Sequence, residues 1–174
     1  MTAAEQKGLE RAHSFNNYGS AYAREHGSRP GTIGVVLSSS PIALLAWIAE
    51  KFLEWSDADP SMHAILESVS LYWLTDSFAR SIYPYAEFHG RPALPGTNDN
   101  EQLKNPHDDE RYYCKKPMGY SWFPLELMPI PVGWVKTTGN LVWHKSHEKG
   151  GHFAALELPE VLLDDVEDFV KTIG

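Results

Sequence analysis

Cysteine is nearly absent from this sequence, and Cys114 is its single representative. An intrachain disulfide is therefore excluded, and a reducing, cytoplasmic setting is the natural expectation. Lys115 and Lys116 follow that thiol and could favour its thiolate, although a lone thiol is more often structural. Positive charge is scarce as well: 15 Lys and Arg against 23 Asp and Glu leave a formal net charge of −8, with no long basic run. Neutralising phosphates needs clustered cations, so nucleic acid and anionic membrane are not expected partners. Long apolar stretches are missing too. The longest, PIALLAWIA from Pro41 to Ala49, falls far short of the roughly 20 residues that span a bilayer, so no membrane span is expected. The N-terminal MTAAEQKGLERAH is charged and lacks the apolar core of a secretory signal.

What is present is apolar and aromatic. Hydrophobic residues make up 43% and charged residues 22%, which fits a globular chain rather than a disordered one. Six Trp, eight Tyr and seven Phe supply buriable surface and suit an apolar ligand pocket.

Local patterns predict a polar helix over 4–13, then a Gly/Ser-containing passage, with RPGTIG (29–34) as a turn or linker. A strong helix is expected from Ser40 to about Trp55, with Ser39 or Ser40 as its cap and Pro41 in its first turn. A further helix is expected after Asp59-Pro60, capped by Ser61 and running to about Ser81, with Pro84 ending it. Residues 89–112 have loop composition. Thereafter the type alternates: a strand over 114–121 that Pro117 weakens or places at an edge or strand end, a short helix over 130–137, a strand over 140–145, a glycine turn, and an amphipathic helix from about Pro159 to Ile173. Val161, Leu162, Val166, Phe169, Val170 and Ile173 mark its expected buried stripe. This alternation is α/β architecture. Two strands cannot build a covered parallel sheet, so the chain reads as part of something larger.

Two passages could carry chemistry. GGHFAALELPE (150–160) places His152 on a tight glycine turn before a helix, where an imidazole can reach a cleft at the carboxyl end of a sheet and act as a general base; the plain alternative is a histidine packed beside the last helix. GYSWFPLEL (119–127) places Glu126 just past a strand end, where a carboxylate can orient a histidine; the alternative is an exposed loop glutamate. A third pattern, His144, His147 and His152, has the spacing of potential metal ligands, but strand alternation sends His144 and His147 to opposite faces and no cysteine completes a set. No metal site is expected.

Together with RPGTIGVVLSSSPIALLAWIAEKFLEWSD (29–57) and LYWLT (71–75), these passages resemble the epoxide hydrolases of the microsomal type and their fungal relatives, from about Gly19 to Ile173. The resemblance implies a partial α/β-hydrolase fold: residues 1–90 as a helical cap portion and its return to the core, 91–113 as a loop, and 114–174 as the C-terminal part of the core. It also implies the hydrolysis of epoxides to vicinal diols through an alkyl-enzyme ester, with no cofactor. His152 would activate water and Glu126 would orient it. Tyr22, in SAYAREHGSRP, matches the first tyrosine that hydrogen-bonds the epoxide oxygen. Tyr83, in ARSIYPYAE, best matches the second, with Tyr85 as its rival.

The departure from the family pattern lies in what precedes the cap. No Gly-x-Ser-x-Gly elbow occurs, and no aspartate sits in a comparable small-residue turn. Asp57 and Asp59 read as loop and cap residues. The expectation is a C-terminal fragment without the nucleophilic aspartate and the oxyanion-hole segment, inactive alone and paired with a missing N-terminal half or a second copy. The alternative is a non-catalytic binding module of the same fold.

Overall fold

A computed structural model of the chain describes residues 1–88 and 110–174. The expected loop over 91–113 therefore lies mostly outside the described residues, which resume with a 3-10 turn at Glu110–Tyr112. The contacts divide the chain into two units. One comprises 1–15, 55–58 and 110–174; the other comprises 16–54 and 59–88.

The second unit is helical: α2 (Ala21–Ser28), α3 (Pro30–Ser38), α4 (Pro41–Trp55, whose last residue belongs to the first unit), α5 (Met62–Leu74), α6 (Phe78–Ser81) and α7 (Tyr85–Phe88). Its core is Ile33, Leu37, Leu44, Ile65, Val69, Phe78 and Ile82. The start of α4 follows from local chemistry, since the Ser40 hydroxyl accepts the Ala43 N–H at 3.3 Å and Pro41 loses no hydrogen bond in a first turn. Ser61 caps α5 in the same way, accepting the Ala64 N–H at 3.2 Å.

Two elements differ from the sequence reading. Residues 29–34 are not a linker. Pro30 begins α3, which buries Ile33 and Leu37. A Cβ at Gly34 would lie 3.0 Å from Ala79 Cβ, so glycine here lets α3 cross α6 closely. Nor does the helix after Pro60 reach Ser81. It stops at Leu74, where Asp76 takes a left-handed φ of 48° and the Thr75 hydroxyl donates back to Leu71 O at 2.6 Å.

The first unit holds the sheet. Strands β1 (Cys114–Trp122) and β2 (Gly139–Ser146) pair in parallel, joined by a crossover containing α8 (Val132–Thr138). The register slips at Pro117, which cannot donate to the ladder, and again at Gly119. Helix α1 (Ala3–Ser14) begins in a reciprocal Thr2–Glu5 capping box. After the short α9 (Ala154–Glu157), α10 (Pro159–Ile173) lies against both strands.

The α10 stripe is a correction. Val166, Val170 and Ile173 are exposed in this chain, as is Leu163, while the buried residue of the helix is Asp165. The helix rests on the sheet through Phe169, whose ring lies where a Gly119 Cβ would be. Asp165 accepts hydrogen bonds from the Ser121 hydroxyl (2.7 Å) and His147 Nε2 (2.6 Å), with Lys145 Nζ at 3.1 Å. Two strands are too narrow to cover the rest of the stripe.

Among the described residues no single helix is long and apolar enough to cross a membrane.

Candidate active site

The turn after β2 is dictated by two glycines. Gly150 takes a left-handed φ of 106°, which an L side chain rarely adopts. A Cβ there would also meet the Phe123 ring at 2.6 Å, and one at Gly151 would meet Trp55 O at 2.4 Å. The turn delivers His152 with its backbone N–H donating to Trp55 O at 2.8 Å. Its ring packs edge-on to Trp55, with centroids 5.3 Å apart, and to Phe153 at 5.0 Å.

The loop after β1 is stitched to this turn. Leu125 N–H donates to Gly150 O at 3.0 Å. Arg11, from the last turn of α1, donates through Nε to Glu126 O (2.7 Å) and through Nη2 to Leu125 O (2.9 Å). Glu126 Oε1 then lies 2.7 Å from His152 Nδ1 and also accepts the Leu127 N–H at 2.6 Å. Burial pushes the Glu126 carboxyl up, but hydrogen bonds from His152 and the Leu127 N–H, with the charges of His152 and Arg11, outweigh it and hold the carboxyl below its ordinary value. An ionised carboxylate can only accept, so Nδ1 carries the proton and Nε2 is left with the lone pair. The arrangement presents an oriented base with a charge-stabilising partner.

The other carboxylates tied to this turn are engaged. Asp57 Oδ2 accepts the Gly150 N–H at 2.9 Å. Glu157 Oε2 accepts the Asp57 N–H at 2.6 Å and lies 3.4 Å from the Ala58 N–H. A groove of about 540 Å³ lies beside Arg11, Trp122, Leu125 and His147, and neither His152 nor Glu126 lines it.

In the helical unit, Tyr22 and Tyr85 meet edge-on with ring centroids 5.9 Å apart. Burial, then the neighbouring Tyr85 phenol by its charge and its hydrogen bond, push the Tyr22 phenol well above its ordinary value. His26 is one helical turn from Tyr22 and meets both rings edge-on, with centroids 5.5 Å from Tyr22 and 4.9 Å from Tyr85. Its Nε2 accepts the Trp47 indole N–H at 3.1 Å. Burial, with the nearby Lys51 charge, pushes His26 down to about 4, so it stays neutral at physiological pH. Tyr83 is 54% exposed and is not brought to this cluster.

Of the remaining sequence candidates, His147 stacks on Phe123 (4.7 Å between centroids) and binds Asp165. Cys114 is exposed. No three potential metal ligands cluster among the described residues. Sequence reasoning missed Arg11 and His26 and read Asp57 only as a loop or cap residue. The four-residue spacing of Tyr22 and His26 on one helix face was the available signal for His26. Arg11 offered none, because its partners lie 114 and 115 residues away.

No family profile matches the chain. Individual proteins do. A relative from Dothistroma septosporum, provisionally named an epoxide hydrolase, is 49% identical over 172 residues, covering 98% of this chain and 37% of its own. Epoxide hydrolase 1 of Oryctolagus cuniculus is 32% identical over 88% of this chain and 34% of its own. The solved structure of Aspergillus niger epoxide hydrolase superposes with a TM-score of 0.86 at 48% identity, covering 100% of this chain and 41% of that one. The chain thus spans about two fifths or less of the length of these relatives. It is similar along nearly its whole length to these epoxide hydrolases, and corresponds to a part of their α/β-hydrolase fold.

Proposed function

We propose that this chain supplies the water-activating half of an epoxide hydrolase. The observation that carries the reading is the 2.7 Å contact between His152 Nδ1 and Glu126 Oε1. With Nδ1–H held by the carboxylate, Nε2 is free to take a proton from water as that water attacks an alkyl-enzyme ester. Glu126 stabilises the imidazolium that forms. The proton then passes to oxygen as the diol leaves and the nucleophilic carboxylate is regenerated.

Tyr22 and Tyr85 supply the phenol donors to the epoxide oxygen. They form the tyrosine pair in the helical unit, and donors aimed at a developing alkoxide lower the barrier to ring opening. The exposed Tyr83 lacks that relationship. Residues 16–54 and 59–88 serve as the cap portion, and 114–174 as the core portion. The aromatic side chains around Tyr22 favour apolar or aryl epoxides, in a cytoplasmic setting.

In this reading the nucleophile is supplied by the part of the relatives that this chain does not cover, while Glu126, Asp57 and Glu157 serve as hydrogen-bond acceptors around the turn. The chain alone is inactive and pairs with the part that supplies the remainder of the fold. One observation favours a second reading, a non-catalytic interaction module: the exposed face of Leu163, Val166, Val170 and Ile173, which is larger than a lone surface side chain and invites a partner. Stable, monodisperse folding in isolation would favour that module.

The test is co-expression of this chain with the part of the Aspergillus niger enzyme that it does not match. Diol formation from a styrene-oxide-type substrate by the assembled pair, and not by this chain alone, is expected. A well-folded pair without turnover would count against the enzymatic reading.

A further inference from the structure

We propose that Asp57 is the positioning residue of the histidine turn, acting as the acceptor that holds Gly150 and thereby sets both His152 and the acid loop. The inference rests on the reading of His152 as the base. Its geometry, however, stands on the turn itself.

The turn from Gly150 to His152 presents two inward backbone N–H groups, and both are taken by the segment 55–58. Gly150 N–H donates to Asp57 Oδ2 at 2.9 Å, and His152 N–H donates to Trp55 O at 2.8 Å. Gly150 is buried, and its left-handed φ of 106° and the Phe123 ring against it leave no room for a side chain there. A buried N–H without an acceptor is costly, so the acceptor must come from this neighbour.

Asp57 is itself fixed, its own N–H donating to Glu157 Oε2 at 2.6 Å. On the far side of the turn, Gly150 O accepts the Leu125 N–H at 3.0 Å. Leu125 precedes Glu126 directly. A continuous path of hydrogen bonds therefore runs from Glu157 through Asp57 and Gly150 to the loop bearing the orienting acid. Moving Gly150 displaces the imidazole and its carboxylate partner together. Asp57 reaches neither substrate nor reacting atoms in this scheme. Its role is exercised through the turn.

The proposal separates acceptor geometry from charge. The Asp57→Asn substitution keeps a carbonyl oxygen for the Gly150 N–H, while Asp57→Leu, similar in shape, offers no acceptor. The experiment is proton and nitrogen NMR on the full chain as D57N and D57L, reading two signals. One is the downfield Nδ1–H resonance of His152, identified by its loss in E126L. The other is amide exchange at Gly150.

In the wild type the resonance is expected to be present and the Gly150 amide protected. D57N should keep both. D57L should lose the resonance and exchange Gly150 about tenfold faster or more, the consequence of losing one ordinary hydrogen bond, while circular dichroism shows the helices retained. If D57L does not fold, the wild type still decides. A Gly150 amide exchanging like an open loop, or no downfield His152 signal, overturns the proposal. So does a D57L protein with both signals unchanged, or a D57N protein that loses them as fully as D57L. Loss of diol formation by the assembled enzyme with both signals intact would count against the catalytic reading and leave the role of Asp57 standing.

Discussion

Tyr22 and Tyr85 face one another edge-on, 5.9 Å between ring centroids, although 63 residues of chain separate them. Burial and the Tyr85 phenol both push the Tyr22 phenol up. Replacing Tyr85 with Phe removes the second cause and leaves the first. An ultraviolet tyrosinate titration, with the Tyr22 transition identified by its loss in Y22F, should therefore show that transition fall towards its ordinary value in Y85F, and remain where it is in Y83F. An equal effect of the two variants would undo the pairing of Tyr22 with Tyr85.

Asp165 anchors α10 to the sheet through Ser121, His147 and Lys145. Truncation to alanine leaves a half-buried imidazole and a hydroxyl without their acceptor. The loss should be about 3 kcal/mol, in the range for breaking one side of a buried charge pair. Denaturant unfolding of D165A against wild type measures it. A change under about 0.5 kcal/mol, the scale of an ordinary surface substitution, would show that the cluster does not hold the helix.

Acid should act on the same unit through two carboxyls. Burial pushes both Asp165 and Glu126 up. For Asp165 the hydrogen bonds from Ser121, His147 and Lys145 outweigh it; for Glu126 those from His152 and Leu127 do, and both folded carboxyls end below their ordinary values. Their stabilisation is present in full above about pH 4 to 5, where the unfolded carboxyls are already ionised. It is lost as pH falls through the lower folded values. Thermal unfolding should shift to lower temperature over that acid range, and the shift should shrink in D165N. Glu126 is 37% exposed, so E126Q should flatten the acid limb less. A melting temperature independent of pH below about 4 would contradict this.

The exposed face of α10 carries a prediction about association. Val166 is 51%, Val170 54% and Ile173 47% exposed, and their spacing gives one apolar stripe. Replacing Val166 and Val170 with Glu should reduce self-association in light scattering while shifting the melting temperature by little, since neither side chain is in the core. A large loss of stability would mean that the stripe is buried within the single chain.

Much of the secondary structure was legible because its causes are local. Ser40-Pro41 starts α4, Ser61 caps α5, and the Gly150-Gly151 turn announces itself by composition. Helix α3 was not, because Pro30, Gly31 and Gly34 mimic a linker until Ile33 and Leu37 find their core and Gly34 meets Ala79. The stop at Leu74 was hidden because residues 75–81 have no helix-breaking residue of their own. His152 and Glu126 were visible as candidates, but the contacts that fix them were not. Arg11 reaches its carbonyls from the other end of the chain, and Asp57 reaches Gly150 across 93 residues. Nothing local in either residue marks it as a support.

The central claim is that His152 hydrolyses an ester whose carboxylate lies outside this chain. The most direct test is intact-protein mass spectrometry of the assembled pair carrying H152A after exposure to a styrene-oxide-type epoxide. The account predicts a stable adduct of one substrate mass on the companion polypeptide, with no adduct on this chain and little diol released. Undiminished diol formation without His152, or an adduct on Asp57 or another carboxylate of this chain, would contradict it.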